Sequence, residues 1–182
     1  LYLNSTSGTC NFSSTSVTKP CSFTKNGLKN VLDYIETATW NLGGSVRSNA
    51  ETMYKTERGT TVKTSGTPIV TTAKVGLMYA SDYGYSVKNS SCNHSSKSLF
   101  DYSATACGGN AWMLKNGNEW TVSPYSGYAY SVFYVYNLAY ADSGYGADYG
   151  FGARPVLYLN SNVYYLSGTG TITDPFQIAL GN

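Results

Sequence analysis

The residues of this chain that could do acid–base, nucleophilic or metal chemistry are few, and their spacing does not combine them. His94 is the single histidine and lies beside Cys92 in a serine- and asparagine-rich loop, so we expect it to be solvated rather than catalytic. Carboxylates such as Asp82, Asp101 and Glu119 could be paired for glycoside hydrolysis, but any protein offers such pairs. No CxxC pair is present. The sequence therefore predicts no metal site, no cofactor and no enzymatic activity.

Tyrosine is the residue type with the unusual distribution. The segment 121–153 holds 8 of the 18 tyrosines, separated almost entirely by Ser, Gly, Ala, Val and Asp, and it contains no Lys, Glu, Gln, Met or Trp. Tyrosine among serine and glycine is typical of antibody paratopes, because the ring gives rigid amphipathic contact area while small polar neighbours adapt their hydrogen bonds. We predict a ligand-binding surface built from these tyrosines and two aspartates: Tyr125, Tyr128, Tyr130, Tyr134, Tyr136, Tyr140, Asp142, Tyr145, Asp148 and Tyr149.

The alternation of residues over 128–136 predicts a strand with two different faces. Phe133 and Val135 share one face and are expected to point into the core, whereas the series from Tyr128 to Tyr136 is expected to point outward. The alternative is that these tyrosines are ordinary sheet surface and core, since tyrosine has high β-propensity. A core does not need eight hydroxyls that each require a partner once buried, which favours the exposed patch.

Helical patterns come early in the chain and strand patterns late, which predicts an α+β fold with mixed or antiparallel sheets. The apolar spacing over 28–35 predicts a short helix that begins at Asn26, and a weaker pattern predicts a second helix over 49–55 with Met53 and Tyr54 facing inward.

Short apolar runs predict the strands, and turn residues separate them. A turn is expected at 81–84 and a two-residue hairpin turn at Asn116-Gly117. Trp112 and Trp120 are expected to be buried and to hold the backbone still. The predicted strands cover residues 75–79, 112–114, 119–122, 128–136, 155–159, 163–166 and 176–180.

Length and charge favour a single domain over residues 1–182, beginning with a Ser/Thr-rich segment at 1–24. Charged residues make up 12% of the chain, and the net charge of +2 comes without any basic cluster. We therefore expect no nucleic-acid partner. Low charge with abundant small polar residues and tyrosine is typical of a secreted or surface-displayed protein.

Four cysteines fit an oxidising compartment and allow three disulfide connectivities, which the sequence leaves open. We favour Cys10–Cys21 and Cys92–Cys107, because each pair brackets a short polar loop.

The order of several motifs resembles a family of surface proteins of gut bacteria that often begin with a prepilin-type hydrophobic helix. The block from Trp120 to Leu159 also resembles the C-terminal half of C-type lectin-like domains of the formylglycine-generating-enzyme type. There a Trp-Thr strand precedes a variable stretch, although Phe151-Gly152-Ala153-Arg154 departs slightly from the usual ending. The motifs that carry the resemblance are Trp40-Asn41-Leu42-Gly43-Gly44, Glu57-Arg58-Gly59-Thr60, Gly76-Leu77-Met78-Tyr79-Ala80-Ser81-Asp82-Tyr83-Gly84-Tyr85, Glu119-Trp120-Thr121-Val122-Ser123-Pro124, Ala153-Arg154-Pro155-Val156-Leu157-Tyr158-Leu159, Gly168-Thr169-Gly170 and Asp174-Pro175-Phe176.

The resemblance implies a C-type lectin-like fold and diversification of 121–153 by a diversity-generating retroelement. Such an element misincorporates opposite template adenines, which turns AAY codons into NNY codons that cannot encode Lys, Glu, Gln, Met or Trp. The composition of 121–153 has that property. The implied protein lies on the bacterial cell surface, anchored in a membrane or pilus through an upstream helix, and binds a protein or glycan on another cell or phage.

Two other functions stay open. A calcium-dependent lectin would be expected to carry Glu-Pro-Asn or Trp-Asn-Asp, and both are missing. A pilin-like subunit, or a tip adhesin, would use the aromatic patch for self-assembly.

Overall fold

The computed structural model describes residues 31–58, 70–88, 92–114, 117–171 and 173–181, and within these ranges the fold is α+β, as expected. The described part of the chain contains two α helices, α1 (Ala50–Arg58) and α2 (Ala80–Tyr85), and ten short strands. No helix in these ranges is long and apolar enough to cross a membrane. The strands are β1 (Ala38–Asn41), β2 (Val70–Ala73), β3 (Val75–Leu77), β4 (Glu119–Pro124), β5 (Val132–Val135), β6 (Ala141–Asp142), β7 (Gly152–Ala153), β8 (Pro155–Leu157), β9 (Val163–Ser167) and β10 (Gln177–Leu180).

The strands form four small sheets. Three are antiparallel pairs, in which β1 pairs with β2, β3 with β8, and β9 with β10. The largest sheet has the strand order β6-β5-β4-β7 and is antiparallel except where β4 runs parallel to β7. The segment 121–153 therefore supplies most of this sheet, namely β5, β6, β7 and the last four residues of β4.

Helix α1 forms where the second helix was predicted, and it extends to Arg58. Met53 and Glu57 lie on its buried face, four residues apart. Tyr54 is exposed, so the prediction that it faces inward is wrong. Its ring packs on the surface against Tyr85 instead, with centroids 5.8 Å apart.

The predicted turn at 81–84 is helix α2. Its first turn is closed by Asp82, whose Oδ2 accepts a hydrogen bond from the Tyr79 backbone N–H at 2.8 Å. The same carboxylate pairs with Arg58 of α1 at 2.6 Å, while Glu57 lies 4.0 Å from that guanidinium. Glu57 and Arg58 therefore form an ion pair, but Asp82 is the closer partner of Arg58 and ties the two helices together. Tyr83, at the centre of the helix, is fully buried.

The helix predicted from Asn26 is wrong in its described part, and residues 26–30 lie outside the described ranges. A single 3-10 turn, Leu32–Tyr34, is followed by extended backbone at Ile35, which bridges Leu159. Pairing with this distant segment overrides the local helical spacing.

The region before β4 also differs from expectation. Residues 112–114 form a turn rather than a strand, closed by a 3.1 Å hydrogen bond from the Leu114 N–H to the Ala111 carbonyl. Met113 is buried but Trp112 is 61% exposed, so the predicted burial of Trp112 is wrong. Asn116, in the predicted hairpin turn, lies outside the described residues.

The Cys92–Cys107 disulfide is confirmed, with Cα atoms 5.6 Å apart. Both cysteines are buried in the core that also holds Leu99 and Tyr102, so the bridge fixes the polar loop to the domain. The other predicted pair, Cys10–Cys21, lies outside the described residues.

The central sheet has a core on each of its two faces. One core contains Phe133 and Val135 of β5, packed with Met78 and Tyr83 on the helical side. The second core contains Trp120 of β4 and Tyr134 of β5 together with β3 side chains, Val75 and Leu77.

Candidate binding surface

The base of the site is the pair β4–β5, in which Trp120 lies opposite Tyr134. Phe133 and Val135 are buried on one face, as predicted. On that face the Thr121 hydroxyl donates a 2.7 Å hydrogen bond to the Phe133 carbonyl. These buried contacts fix the backbone of the segment on the face that carries Phe133 and Val135.

The opposite face of β5 is covered, so the prediction that the whole series from Tyr128 to Tyr136 points outward is wrong. Tyr134 is 2% exposed. Its ring lies 5.9 Å from Trp120, 5.3 Å from Tyr145 and 5.2 Å from Phe151, centroid to centroid. Alternation correctly separated the two faces, but the chain at 145–151 folds back over the face that was expected to meet solvent.

A hydrogen-bonded group closes the edge of this aromatic layer. The Tyr134 hydroxyl donates to Asp142 Oδ2 at 3.3 Å, and the other oxygen of Asp142 forms an ion pair with Arg47. Arg47 Nε also donates to the Ser143 hydroxyl at 3.2 Å. Burial, and next the neighbouring Asp142 carboxylate, raise the pKa of Tyr134. The Asp142 carboxylate thus binds partners within the protein, whereas the sequence predicted it as part of the ligand-binding surface.

Three of the predicted tyrosines are well exposed, and we call Tyr128, Tyr130 and Tyr149 the aromatic rim. Their exposed fractions are 59%, 66% and 51%. Tyr128 and Tyr130 stack with centroids 5.9 Å apart. The Tyr130 carbonyl accepts a 3.0 Å hydrogen bond from the Ala147 N–H, which joins the turn carrying two rim residues to the loop carrying Tyr149.

The remaining predicted site residues lie between the rim and the core. Tyr145 supports Tyr149 at a centroid distance of 4.6 Å, and Tyr125 contacts Tyr128 at 6.0 Å. Asp148 is exposed. The half-buried members are Tyr125, Tyr136, Tyr140 and Tyr145.

Residues from outside the segment fix its first turn. Ser45 donates its backbone N–H to the Pro124 carbonyl at 2.8 Å and accepts from the Ser126 N–H at 2.9 Å. The Arg47 guanidinium lies over the rings of Phe100 and Tyr125, at 4.5 and 5.9 Å. Sequence reasoning missed Arg47, because nothing local marks a side chain that acts on residues almost a hundred positions away.

An apolar cavity of about 260 Å³ opens beside the rim. We call the part of the domain outside 121–153 the scaffold. The scaffold residues Trp40 of β1 and Trp120 of β4 line the cavity, and so do Val132 and Ala147 of the segment. Ala147 is an exposed lining residue and its backbone N–H is bonded to the Tyr130 carbonyl, so the cavity and the rim are adjacent.

Three of the candidate catalytic residues, His94, Glu119 and Asp82, are each engaged with a different partner. The His94 ring packs against Tyr85, with centroids 4.8 Å apart. Glu119 pairs with Arg154 at 2.7 Å, and Asp82 pairs with Arg58. Within the described ranges no cluster of three or more His, Cys, Asp or Glu side chains is placed to hold a metal ion.

Comparison with known proteins does not place the chain in a family. No protein-family model, no curated protein and no solved structure matches it.

Proposed function

We propose that this chain is a ligand-binding domain of a bacterial surface protein, and that its aromatic rim contacts a protein or glycan on another cell or phage. One observation carries the proposal. Tyr128, Tyr130 and Tyr149 lie exposed on adjoining turns, and the backbone of these turns is anchored to a sheet that packs against a core on each face. The disulfide between Cys92 and Cys107 supports an oxidising, extracellular location.

Exposed tyrosines on a fixed backbone are effective binding groups for physical reasons. Each ring offers a large amphipathic contact with only two torsion angles to order, and tyrosine is enriched among residues that dominate interface energies. The backbone between the rim residues is already held by the Ala147–Tyr130 and Ser126–Ser45 hydrogen bonds. Binding would therefore order few additional groups.

The finer assignment is part of the same proposal. We infer a C-type lectin-like domain in which 121–153 is diversified by a retroelement. Support comes from the α+β architecture and from the separation of buried and exposed residues inside the segment. Phe133, Tyr134 and Val135 lie in the core, whereas the rim residues are exposed. Such a division would let surface side chains change without loss of the fold.

Self-assembly, as in a pilin-like subunit, is the second candidate, and one observation favours it. The β9–β10 hairpin exposes a set of large apolar side chains on a two-stranded sheet that no other described strand extends. Exposed apolar patches and open strand edges are typical of association surfaces. The set comprises Tyr164, Tyr165, Leu166 and Phe176.

Matched variants separate the two functions. The triple variant Tyr128→Ala/Tyr130→Ala/Tyr149→Ala removes the rim, and Tyr164→Ala/Tyr165→Ala removes equally exposed rings elsewhere. Binding to a panel of bacterial cells, phages and glycans should be lost at least tenfold in the rim variant and kept in the hairpin variant. Equal binding by the parent and the rim variant would overturn the proposal. Oligomers in sedimentation that only the hairpin variant dissolves would favour assembly.

A further inference from the structure

The cavity beside the rim is lined mainly by apolar side chains, with three threonines, Thr71, Thr72 and Thr121, among its lining residues. The Trp40 Nε1–H donates to the Ala73 carbonyl at 2.9 Å, and the Trp120 Nε1–H donates to the Tyr149 carbonyl at 3.1 Å. Both indole N–H groups are thus satisfied within the protein. None of the lining residues carries a formal charge. A charged ligand would lose its hydration here with no opposite charge in the lining to compensate it.

Close packing behind the cavity fixes the position of the Trp40 ring. A Cβ on Gly76 would lie 2.7 Å from that ring, so only glycine lets the indole rest on the β3 backbone. The ring also stacks on Tyr79 at 6.1 Å and is 2% exposed. The position of the wall formed by Trp40 is therefore fixed by its packing.

The size of the cavity indicates the size of its ligand. Pockets for drug-sized molecules span roughly 300–1,000 Å³, whereas an apolar cavity of about 150 Å³ accommodates benzene. At about 260 Å³ the cavity lies between these two values. It suits one substituted ring or two fused rings.

We propose that this cavity binds an uncharged, ring-sized apolar group of the same ligand that the aromatic rim contacts. The inference rests on the proposed function and deepens it. Scaffold residues Trp40, Leu77 and Trp120 set the chemical class of the group, and lining residues of the segment, among them Val132 and Ala147, set its shape. Specificity then has a constant apolar part and a part that changes with the segment residues of the lining.

A fluorescence titration tests the inference without the natural ligand. The chain has three tryptophans, and Trp112 is 61% exposed and outside the lining. In the Trp112→Phe variant all indole emission comes from Trp40 and Trp120, which line the cavity. The probe is 4-bromobenzyl alcohol, whose bromine quenches an indole that it contacts, and 4-bromobenzoate is its charged analogue.

We expect saturable quenching by the alcohol and at least tenfold weaker binding of the benzoate. Val132→Phe, which fills the cavity, should weaken binding of the alcohol at least tenfold. Ala147→Leu is a second obstructing variant in case the first one folds poorly. Leu138→Phe adds bulk at an exposed position of the same segment and should change binding less than twofold. All variants are made in the Trp112→Phe background.

Quenching that stays linear with probe concentration, or equal binding of the alcohol by both obstructed variants, would overturn the inference. The rim triple variant should bind the probe within twofold of the parent. Failure of the cavity proposal is therefore distinguishable from failure of the rim proposal, which the cell and phage panel measures separately.

Discussion

Replacing Tyr134 by alanine should destabilise the domain strongly, although this tyrosine belongs to the segment with the exposed rim. Its ring is 2% exposed and has three aromatic neighbours, Trp120, Tyr145 and Phe151, within 5.9 Å. Truncation of a buried aromatic ring costs about 3–5 kcal/mol. For a domain of this size each kcal/mol lowers the melting temperature by roughly 2–4 °C, so we expect a decrease of about 6–20 °C.

The matched substitution is Tyr130→Ala, because Tyr130 is 66% exposed in the same segment. Its effect on the free energy of unfolding should stay within about 0.5 kcal/mol. Tyr134→Phe keeps the ring and removes only the 3.3 Å hydrogen bond to Asp142, so a loss of about 0.5–1.5 kcal/mol is expected. Differential scanning calorimetry with the disulfide intact measures all three variants. A Tyr134→Ala variant that melts within 2 °C of the parent would refute the assignment of this ring to the core.

Two further predictions concern the scaffold. In Gly108→Ala the new Cβ would lie 1.8 Å from the carbonyl oxygen of Ala139. Ala139 is fully buried and has a φ of +74°, so it cannot move away easily. Urea unfolding should therefore show that the free energy of unfolding falls by about 1–3 kcal/mol. The matched control is Gly117→Ala, because a Cβ added at Gly117 would have no atom within 4 Å, and this change should be neutral or stabilising by up to about 1 kcal/mol. Equal effects of the two substitutions would contradict the close packing at Gly108. Glu57 is buried, and desolvation raises its pKa despite hydrogen bonds from Ser123 and Ser81. The folded state therefore binds more protons than the unfolded state above the unfolded pKa of about 4.3, and the stability of the parent relative to Glu57→Gln should fall as pH rises through the folded pKa. A difference between parent and variant that is constant or grows from pH 4 to 8 would show that the carboxyl is not desolvated.

Local features of the fold were predictable from sequence. Alternation along one strand reports which residues share a face, and it correctly predicts that Phe133 and Val135 lie in the core. The short loop between the two cysteines favours the Cys92–Cys107 disulfide, and the pattern over 49–55 predicts α1.

Features that depend on distant contacts were not predictable. Alternation places Tyr134 on the outer face of its strand, because it does not reveal that residues 145–151 return over that face. The expected helix near Ile35 is replaced by pairing with Leu159, far along the chain. The role of Arg47, 95 residues from Asp142, had no local signal.

The candidate site was predicted in part. Tyr128, Tyr130 and Tyr149 are exposed as expected, and they lie on turns among small residues. The cavity was not foreseen, since its wall combines Trp40 with Trp120 and no spacing in the sequence brings these two residues together.

The central claim is that surface side chains of 121–153 are interchangeable while the scaffold beneath them is not. Sequencing the DNA around the gene tests it most directly. We predict a near-copy of the codons for 121–153 beside a reverse transcriptase gene, with adenines in the copy wherever the two differ, and differences at exposed codons such as Tyr128, Tyr130 and Tyr149. A neighbourhood without such a copy, or a copy that differs chiefly at the codons for Phe133, Tyr134 and Val135, would contradict the claim.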